Sequence, residues 1–428
     1  MHIEGRFMTE LIAAHKPVRA RMPMHAEAMR SAGPAQIETA LTRGREQLLG
    51  LFEGFERALG SDGLRIALDA VVNLPLWELG HIGWFEEFWL LRNRDRALGP
   101  ACNPLGPRSA SLLPQADAFY DSSNVAHGRR WQLALPDPDA TRGYLAAVRQ
   151  STLALLRDGK TGDDDLYFFR LVLFHEDMHR EAWHFMAQRL GIDLGPAMTA
   201  RMPRVASVAG TWNVPGGLRR IGAGDTGFAF DNELRTHAVE VPAFSIDRVP
   251  VNWASYLAFV EAGGYAIEGA WTLAGREWLR RTRADHPMHL RHTRDGWQRW
   301  QFGSWAPLDP AAPALHLTAH EAEAWCRWAG RRLPTEAEWE TAAFLAAEQG
   351  EAFEWGEVWE WTASRFGPYP GFAPHPYRDY SQPWFDGRPV LRGGSFATTP
   401  HMKHPCYRNF FIADRNDVFS GFRTCAVR

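Results

Sequence analysis

His175 and His179, in the run Phe174-His175-Glu176-Asp177-Met178-His179-Arg180-Glu181, stand four residues apart in an apolar stretch of helical period. On a helix that spacing stacks two imidazoles one turn apart on one face, where both can bond a single metal ion. Glu181 follows His179 by two residues, about 200° round the helix, and so turns away from that ion. The third ligand has to come from another element. The best donor is His81, in the aromatic helical stretch Trp77-Glu78-Leu79-Gly80-His81-Ile82-Gly83-Trp84-Phe85. Three neutral imidazoles from two packed helices leave coordination positions open to water or substrate, which makes a reactive site and not a closed structural one. Taken alone, His81 reads as a satisfied core histidine; the His175/His179 pair makes it a ligand.

The same residues satisfy the short zinc-protease pattern H-E-x-x-H, with Glu176 as general base. The longer signature fails, because His179 is followed by Arg-Glu-Ala-Trp-His and not by x-x-Gly-x-x-His. Two other readings use the chain differently. A metal-dependent thiol transferase would need only a three-histidine bundle, and a quaternary-ammonium or carbohydrate binding module would account for the aromatic richness but leave the histidines idle.

The elements that must position these residues fall into two textures. Ile37 to Leu59, Trp77 to Leu91, Ala140 to Leu156 and Asp164 to Leu190 carry apolar residues at three- and four-residue spacing and predict a four-helix bundle able to hold a metal between facing helices. Gly60, Gly159 and Gly191 punctuate them. The connection from Gly99 to Pro138 has no helical period and reads as a crossover that roofs the site. After Gly195 short strands are expected at Val205 to Val214, His237 to Ile246 and Val390 to Phe396, with short helices at Asn252 to Ala262 and Thr318 to Ala329. That half reads as a loop-rich α+β domain whose loops carry recognition.

At 428 residues two domains are expected, a helical bundle over 36–195 and an α+β domain over 200–428. Residues 1–35 read as a polar leader that opens on a vector-derived protease site, Ile3-Glu4-Gly5-Arg6, with native numbering from near Met8. A net charge of -3 without a basic stripe excludes a nucleic-acid partner, and no apolar run reaches a membrane span. Cys102, Cys326, Cys406 and Cys425 are scattered with no CxxC pair, which points to a reducing cytoplasm.

The second half resembles the formylglycine-generating-enzyme (sulfatase-modifying factor) fold, a C-type-lectin-like architecture. Phe228-Ala229-Phe230-Asp231-Asn232-Glu233, Arg332-Leu333-Pro334-Thr335-Glu336, Val358-Trp359-Glu360-Trp361, Leu391-Arg392-Gly393-Gly394-Ser395-Phe396 and Gly421-Phe422-Arg423 carry the likeness, in family order. The cysteine pair that formylglycine formation implies is missing, since Cys406 has no partner at the expected position. With a bundle carrying His81, His175 and His179, the whole chain resembles the EgtB-like non-heme iron sulfoxide synthases of ergothioneine biosynthesis. The resemblance implies Fe(II) on the three histidines and O2-dependent joining of a chalcogen donor to the imidazole C2 of hercynine.

By the same resemblance, Tyr377 is the active-site phenol that delivers a proton or hydrogen atom. Tyr380 and Asn409 orient the betaine, and Phe410 with Phe411 faces its quaternary ammonium. Two departures bear on the donor. Met178 stands where family members commonly place a polar residue, and the donor loop Phe119 to Trp131 offers Asp121 and Ser123, groups suited to a polyol. This is similar to the selenoneine synthase (SenA) branch, whose donor is a selenosugar. Arg129 and Arg130 keep open the alternative of an ergothioneine-pathway donor, cysteine or γ-glutamylcysteine, held by its carboxylates.

Overall fold

The computed structural model describes residues 24–60, 64–195 and 202–427. The Ile3-Glu4-Gly5-Arg6 segment and the first part of the expected leader lie outside the described residues. The bundle consists of α2 (Pro34–Leu59), α3 (Pro75–Glu86), α5 (Pro138–Asp158) and α6 (Asp163–Leu190). Proline opens α2, α3 and α5, where its missing N–H costs nothing and its fixed φ already suits the helix. Asp163, Asp164 and Asp165 start α6 against the positive end of its dipole, and Gly191 ends it at φ 68°.

The faces predicted to be apolar are the buried ones. Phe52 and Phe55 of α2 meet Trp183 of α6 edge-on, at ring centroid distances of 5.7 and 4.8 Å. Deeper in, Arg45 and Arg149 clasp Glu86 and Glu176, all four buried. Glu176 accepts from Arg149 at 2.6 Å and from Arg45 at 3.0 Å, so its carboxylate serves this ionic knot and not a metal on the His175 face. The protease reading fails on that geometry.

Two close approaches in α3 set the site. A Cβ on Gly80 would lie 2.2 Å from the Tyr120 ring, and one on Gly83 would lie 2.7 Å from Leu145. Only glycine lets Tyr120 and α5 come this near the turn that carries His81. The Gly99–Pro138 connection, expected without helix, contains α4 (Ala116–Tyr120) and two 3-10 turns. Segments of five or six residues are too short for a period to register.

The C-terminal half contains thirteen short strands among its described residues. One sheet runs β1 (Thr211–Val214), β4 (Phe244–Asp247), β13 (Cys425–Ala426), β8 (Arg331–Arg332); a second runs β11 (Asn409–Phe410), β10 (Pro389–Arg392), β9 (Trp359–Arg365), β12 (Ser420–Gly421). A ribbon of β2 (Gly217–Ile221) with β3 (His237–Val241) and a meander of β5 (Leu290–Thr293), β6 (Gly296–Gln301) and β7 (Ser304–Pro307) complete the set. Three expected strands need correction. The first starts at Thr211 and not Val205. The stretch His237 to Ile246 is two strands, β3 on β2 and β4 on β1, parted where Pro242 offers no amide. The third stops at Arg392, because Gly393 and Gly394 turn to φ 93° and 83°. The expected helices form as Trp253–Glu261 and Ala319–Trp328, capped by Asn252 and Thr318.

The leader reading also needs correction at its end. Met24–Arg30 is a helix, α1, and its last residue docks on the second half. The Arg30 guanidinium makes a bidentate pair with Glu233 at 2.7 and 2.8 Å, both buried, and the Arg30 carbonyl accepts from Phe228 N at 2.7 Å. Seven residues give no periodic signal, so only tertiary contacts reveal them. Arg30→Ala leaves Glu233 charged and unpaired, so a loss of about 3–5 kcal/mol is expected in urea unfolding. An unchanged midpoint would show the pair to be dispensable. All four cysteines are buried free thiols, and no helix among the described residues is long and apolar enough to cross a membrane.

Candidate metal centre at the domain interface

His81 comes from α3, and His175 and His179 from α6; one ligand nitrogen from each lies within 4.8 Å of the others. The outer nitrogens are already occupied. His81 Nδ1 donates to the Tyr120 carbonyl at 2.8 Å, and His179 Nδ1 donates to Glu78 Oε1 at 3.0 Å. Each bond fixes a tautomer that leaves the Nε2 lone pair free, the usual support of a metal-bound imidazole. His175 Nε2 is buried with no hydrogen-bond partner, a cost that a metal would remove. Burial, then the neighbouring imidazoles, holds His81 and His175 well below the ordinary histidine range, so both rings are neutral. Phe85 stacks on His175 at 3.5 Å and 3°, locking its plane. The donor set and its supports fit a divalent first-row ion such as Fe(II).

Glu181 lies apart from the three nitrogens. Its buried carboxylate accepts from Trp359 Nε1 at 2.8 Å, Ser395 Oγ at 2.5 Å and Thr398 Oγ1 at 2.8 Å, all on the C-terminal half. Two residues past the metal face, it ties the ligand helix to the second domain.

Tyr377 closes on this centre from the second domain. Its ring is 6.2 Å from that of His175 and meets Phe85 edge-on at 4.8 Å. Burial, with Asp379 and Asp121 adding negative charge, pushes the phenol above its ordinary range and keeps it protonated. A cavity of about 230 Å3 opens beside His179. It gathers Met178, Tyr380, Asn409, Phe410 and Phe411, together with Asn73, Glu78, Tyr407, Arg415 and Asp417, which the sequence reading missed. The two aromatic candidates are partly used already. Phe410 stacks on Phe366 at 3.9 Å, and the Arg415 guanidinium lies 4.7 Å over Phe411, itself paired to Asp417 at 2.5 and 2.7 Å.

The donor-loop residues do not line that cavity. Asp121 accepts from Ser123 N at 3.0 Å and from Asn124 Nδ2 at 2.6 Å, and the Ser123 hydroxyl donates across the interface to Asp379, two residues from Tyr377. Arg129 is exposed and bonded to Gln132, while Arg130 turns inward to Asn73. Only Glu78 had a sequence signal, a carboxylate one helical turn before His81; Asn73, Arg415 and Asp417 had none.

Behind the tyrosine segment, Asp231 accepts from Ser381 Oγ and from His375 N, the latter at 3.3 Å. Burial raises Asp231 to about 6 and lowers His375 to about 4. From pH 4 to 6, folded Asp231 keeps a proton that the unfolded chain loses, so its contribution to stability falls as pH rises. His375 acts oppositely, because the unfolded chain takes up a proton below pH 6.5 that the buried ring refuses. Asp231→Asn removes the first effect alone. Stability should then rise with pH more steeply than in the wild type, by up to ~1.4 kcal/mol per pH unit over this window. Parallel unfolding profiles would show that Asp231 does not titrate there.

The chain also resembles known proteins in sequence. Residues 197–358 and 354–427 match the sulfatase-modifying factor enzyme 1-like domain, and residues 40–182 match the DinB superfamily. The chain is 36% identical over 413 residues to a hercynine oxygenase of Mycolicibacterium thermoresistibile, covering 84% of this chain and 89% of that protein. It is 34% identical to the Mycolicibacterium smegmatis hercynine oxygenase, over 90% of this chain and 97% of the other. A formylglycine-generating enzyme of Streptomyces coelicolor is 31% identical over 186 residues, covering 38% of this chain and 54% of its own length.

Proposed function

This chain belongs to the hercynine oxygenase family, the EgtB-like sulfoxide synthases, and from that premise we propose that it is a non-heme Fe(II) oxidoreductase that uses O2 to join a chalcogen donor to the imidazole C2 of hercynine. We infer further that its preferred donor is a selenosugar, which makes it a selenoneine synthase. His81, His175 and His179 would hold the ion. Bound Fe(II) supplies the one-electron chemistry with O2 that no side chain here provides. The new bond replaces C2–H and chalcogen–H, a two-electron oxidation; O2 takes four electrons, so the other two come from oxidation of the chalcogen to its oxide, and the second oxygen atom leaves as water with the two hydrogens.

The remaining tasks fall to the chain. The cavity beside His179 takes the betaine, with Tyr380 and Asn409 orienting it and the aromatic edges of Phe410 and Phe411 near its cation. The Tyr377 phenol, kept protonated by burial, stands ready to give a proton or hydrogen atom beside His175, its ring 6.0 Å from that of Tyr380. Met178 supplies an apolar wall where a hydrogen-bonding side chain would otherwise meet the imidazole. Because the groups come from both domains, the halves are catalytically inseparable. The four unbonded thiols suit a reducing cytoplasm.

One observation carries the donor assignment. Asp379 and Asp121 put negative charge at Tyr377, Ser123 bonds Asp379, and both loop arginines are engaged elsewhere, Arg129 with Gln132 and Arg130 with Asn73. Carboxylates and a hydroxyl accept and give hydrogen bonds to sugar hydroxyls and repel the carboxylates of γ-glutamylcysteine. Steady-state rates at matched hercynine and O2 test it. A seleno- or thiosugar should have the higher kcat/KM, by up to ~10⁴-fold. Preference for cysteine or γ-glutamylcysteine would return the chain to ergothioneine synthesis.

A further inference from the structure

Arg130 sits on the donor loop, yet its guanidinium points into the bundle. Nη1 donates to Asn73 Oδ1 at 2.5 Å, and the group lies 3.8 Å over the Trp77 ring. Asn73 donates from Nδ2 to Glu78 Oε2 at 2.8 Å, and Glu78 Oε1 accepts from His179 Nδ1 at 3.0 Å. The direction of this chain is set at both ends. An arginine can only donate, so Asn73 must turn its oxygen to Arg130 and its NH2 to Glu78. The Glu78 carboxylate, able only to accept, takes the Nδ1 proton of His179 and leaves the lone pair on Nε2, and the Asn73 bond to its other oxygen holds it in place to do so.

A second arm runs through the ring beneath the guanidinium. Trp77 stacks on His81 at 4.9 Å between centroids and 10° between planes. Its Nε1 donates to the Phe119 carbonyl at 2.6 Å, one residue before the Tyr120 carbonyl that receives His81 Nδ1. One guanidinium thus braces two of the three imidazoles, one from each helix.

We propose that Arg130 is a positioning residue for the metal centre, orienting His179 through Asn73 and Glu78 and seating His81 through Trp77, and is not the arginine of a donor-carboxylate clamp. The inference rests on the triad being a metal site but is independent of which donor is used. It is tested on the full chain with Arg130→Met, Arg130→Lys, Asn73→Ala and the Arg130→Met/Asn73→Ala double variant. Three quantities are read: the Fe(II) dissociation constant by anaerobic chelator competition, the His179 tautomer from side-chain 15N shifts of metal-free protein, and the donor KM.

Arg130→Met and Asn73→Ala should each weaken Fe(II) binding roughly tenfold, the lower end for groups that support metal ligands. Both should turn a single His179 tautomer into a mixture and leave the donor KM within about twofold, since neither side chain is assigned a donor contact. The double variant should be little worse than Arg130→Met, which already breaks both arms, and worse than Asn73→Ala, which leaves the Trp77 arm in place. Arg130→Lys keeps a donor and a charge but not the planar stack, so it should recover part of the Fe(II) affinity. Unchanged Fe(II) affinity and tautomer would overturn the proposal, as would a tenfold rise in donor KM with Fe(II) affinity intact. The tautomer needs no iron, so a wild type that failed to bind Fe(II) would refute the functional reading and still leave this test readable.

Discussion

Tyr377→Phe is expected to slow carbon–chalcogen bond formation by roughly 10²–10⁴-fold, the range for losing a positioned proton donor, with hercynine affinity changed by less than about threefold. The expectation follows from what the substitution removes. The ring packs edge-on against Phe85 and lies 6.0 Å from Trp89, and a phenyl group keeps both contacts. Only the hydroxyl is lost. Burial and the charges of Asp379 and Asp121 keep that hydroxyl protonated, so the wild-type rate should show no inflection from it up to pH 10. Single-turnover rates beside equilibrium binding of hercynine separate the two effects. A wild-type rate in the variant would withdraw Tyr377 from the chemistry.

His179→Ala should abolish iron retention while the bundle stays folded. The side chain is 19% exposed, and its removal strands one buried Glu78 oxygen, a cost of about 1–3 kcal/mol that the domain can bear. Helical content by circular dichroism should therefore persist, while bound Fe(II) after gel filtration falls to background. Unfolding of the bundle in this variant would mark His179 as a structural residue.

The part of the site that lies within single helices was legible in the sequence. Four-residue spacing on an apolar helix put His175 and His179 on one face, and the same geometry turned Glu181 away, where it bonds Trp359, Ser395 and Thr398. His81 stood out only once that pair demanded a third ligand. What could not be read is what arises between elements. Asn73 and Arg130 are 57 residues apart and join through a tertiary bond, so no spacing announces them. The same holds for Arg30 and Glu233, 203 residues apart. Strands such as β8, β11, β12 and β13 have two residues each, below any alternation signal, and exist only because their neighbours pair with them. Tyr377 and Tyr380 came from family resemblance, since nothing in their spacing distinguishes them from core aromatics.

The most direct measurement of the central claim is the mass of the product. Fe(II)-loaded protein is mixed anaerobically with hercynine and each donor in turn, selenoglucose, thioglucose, cysteine and γ-glutamylcysteine, before O2 is admitted. A covalent hercynine–chalcogen adduct joined at C2 is predicted, largest with selenoglucose, absent without Fe(II) and absent from the His81, His175 and His179 alanine variants. No adduct with any donor while the triad holds iron, or an undiminished adduct in those variants, would contradict it.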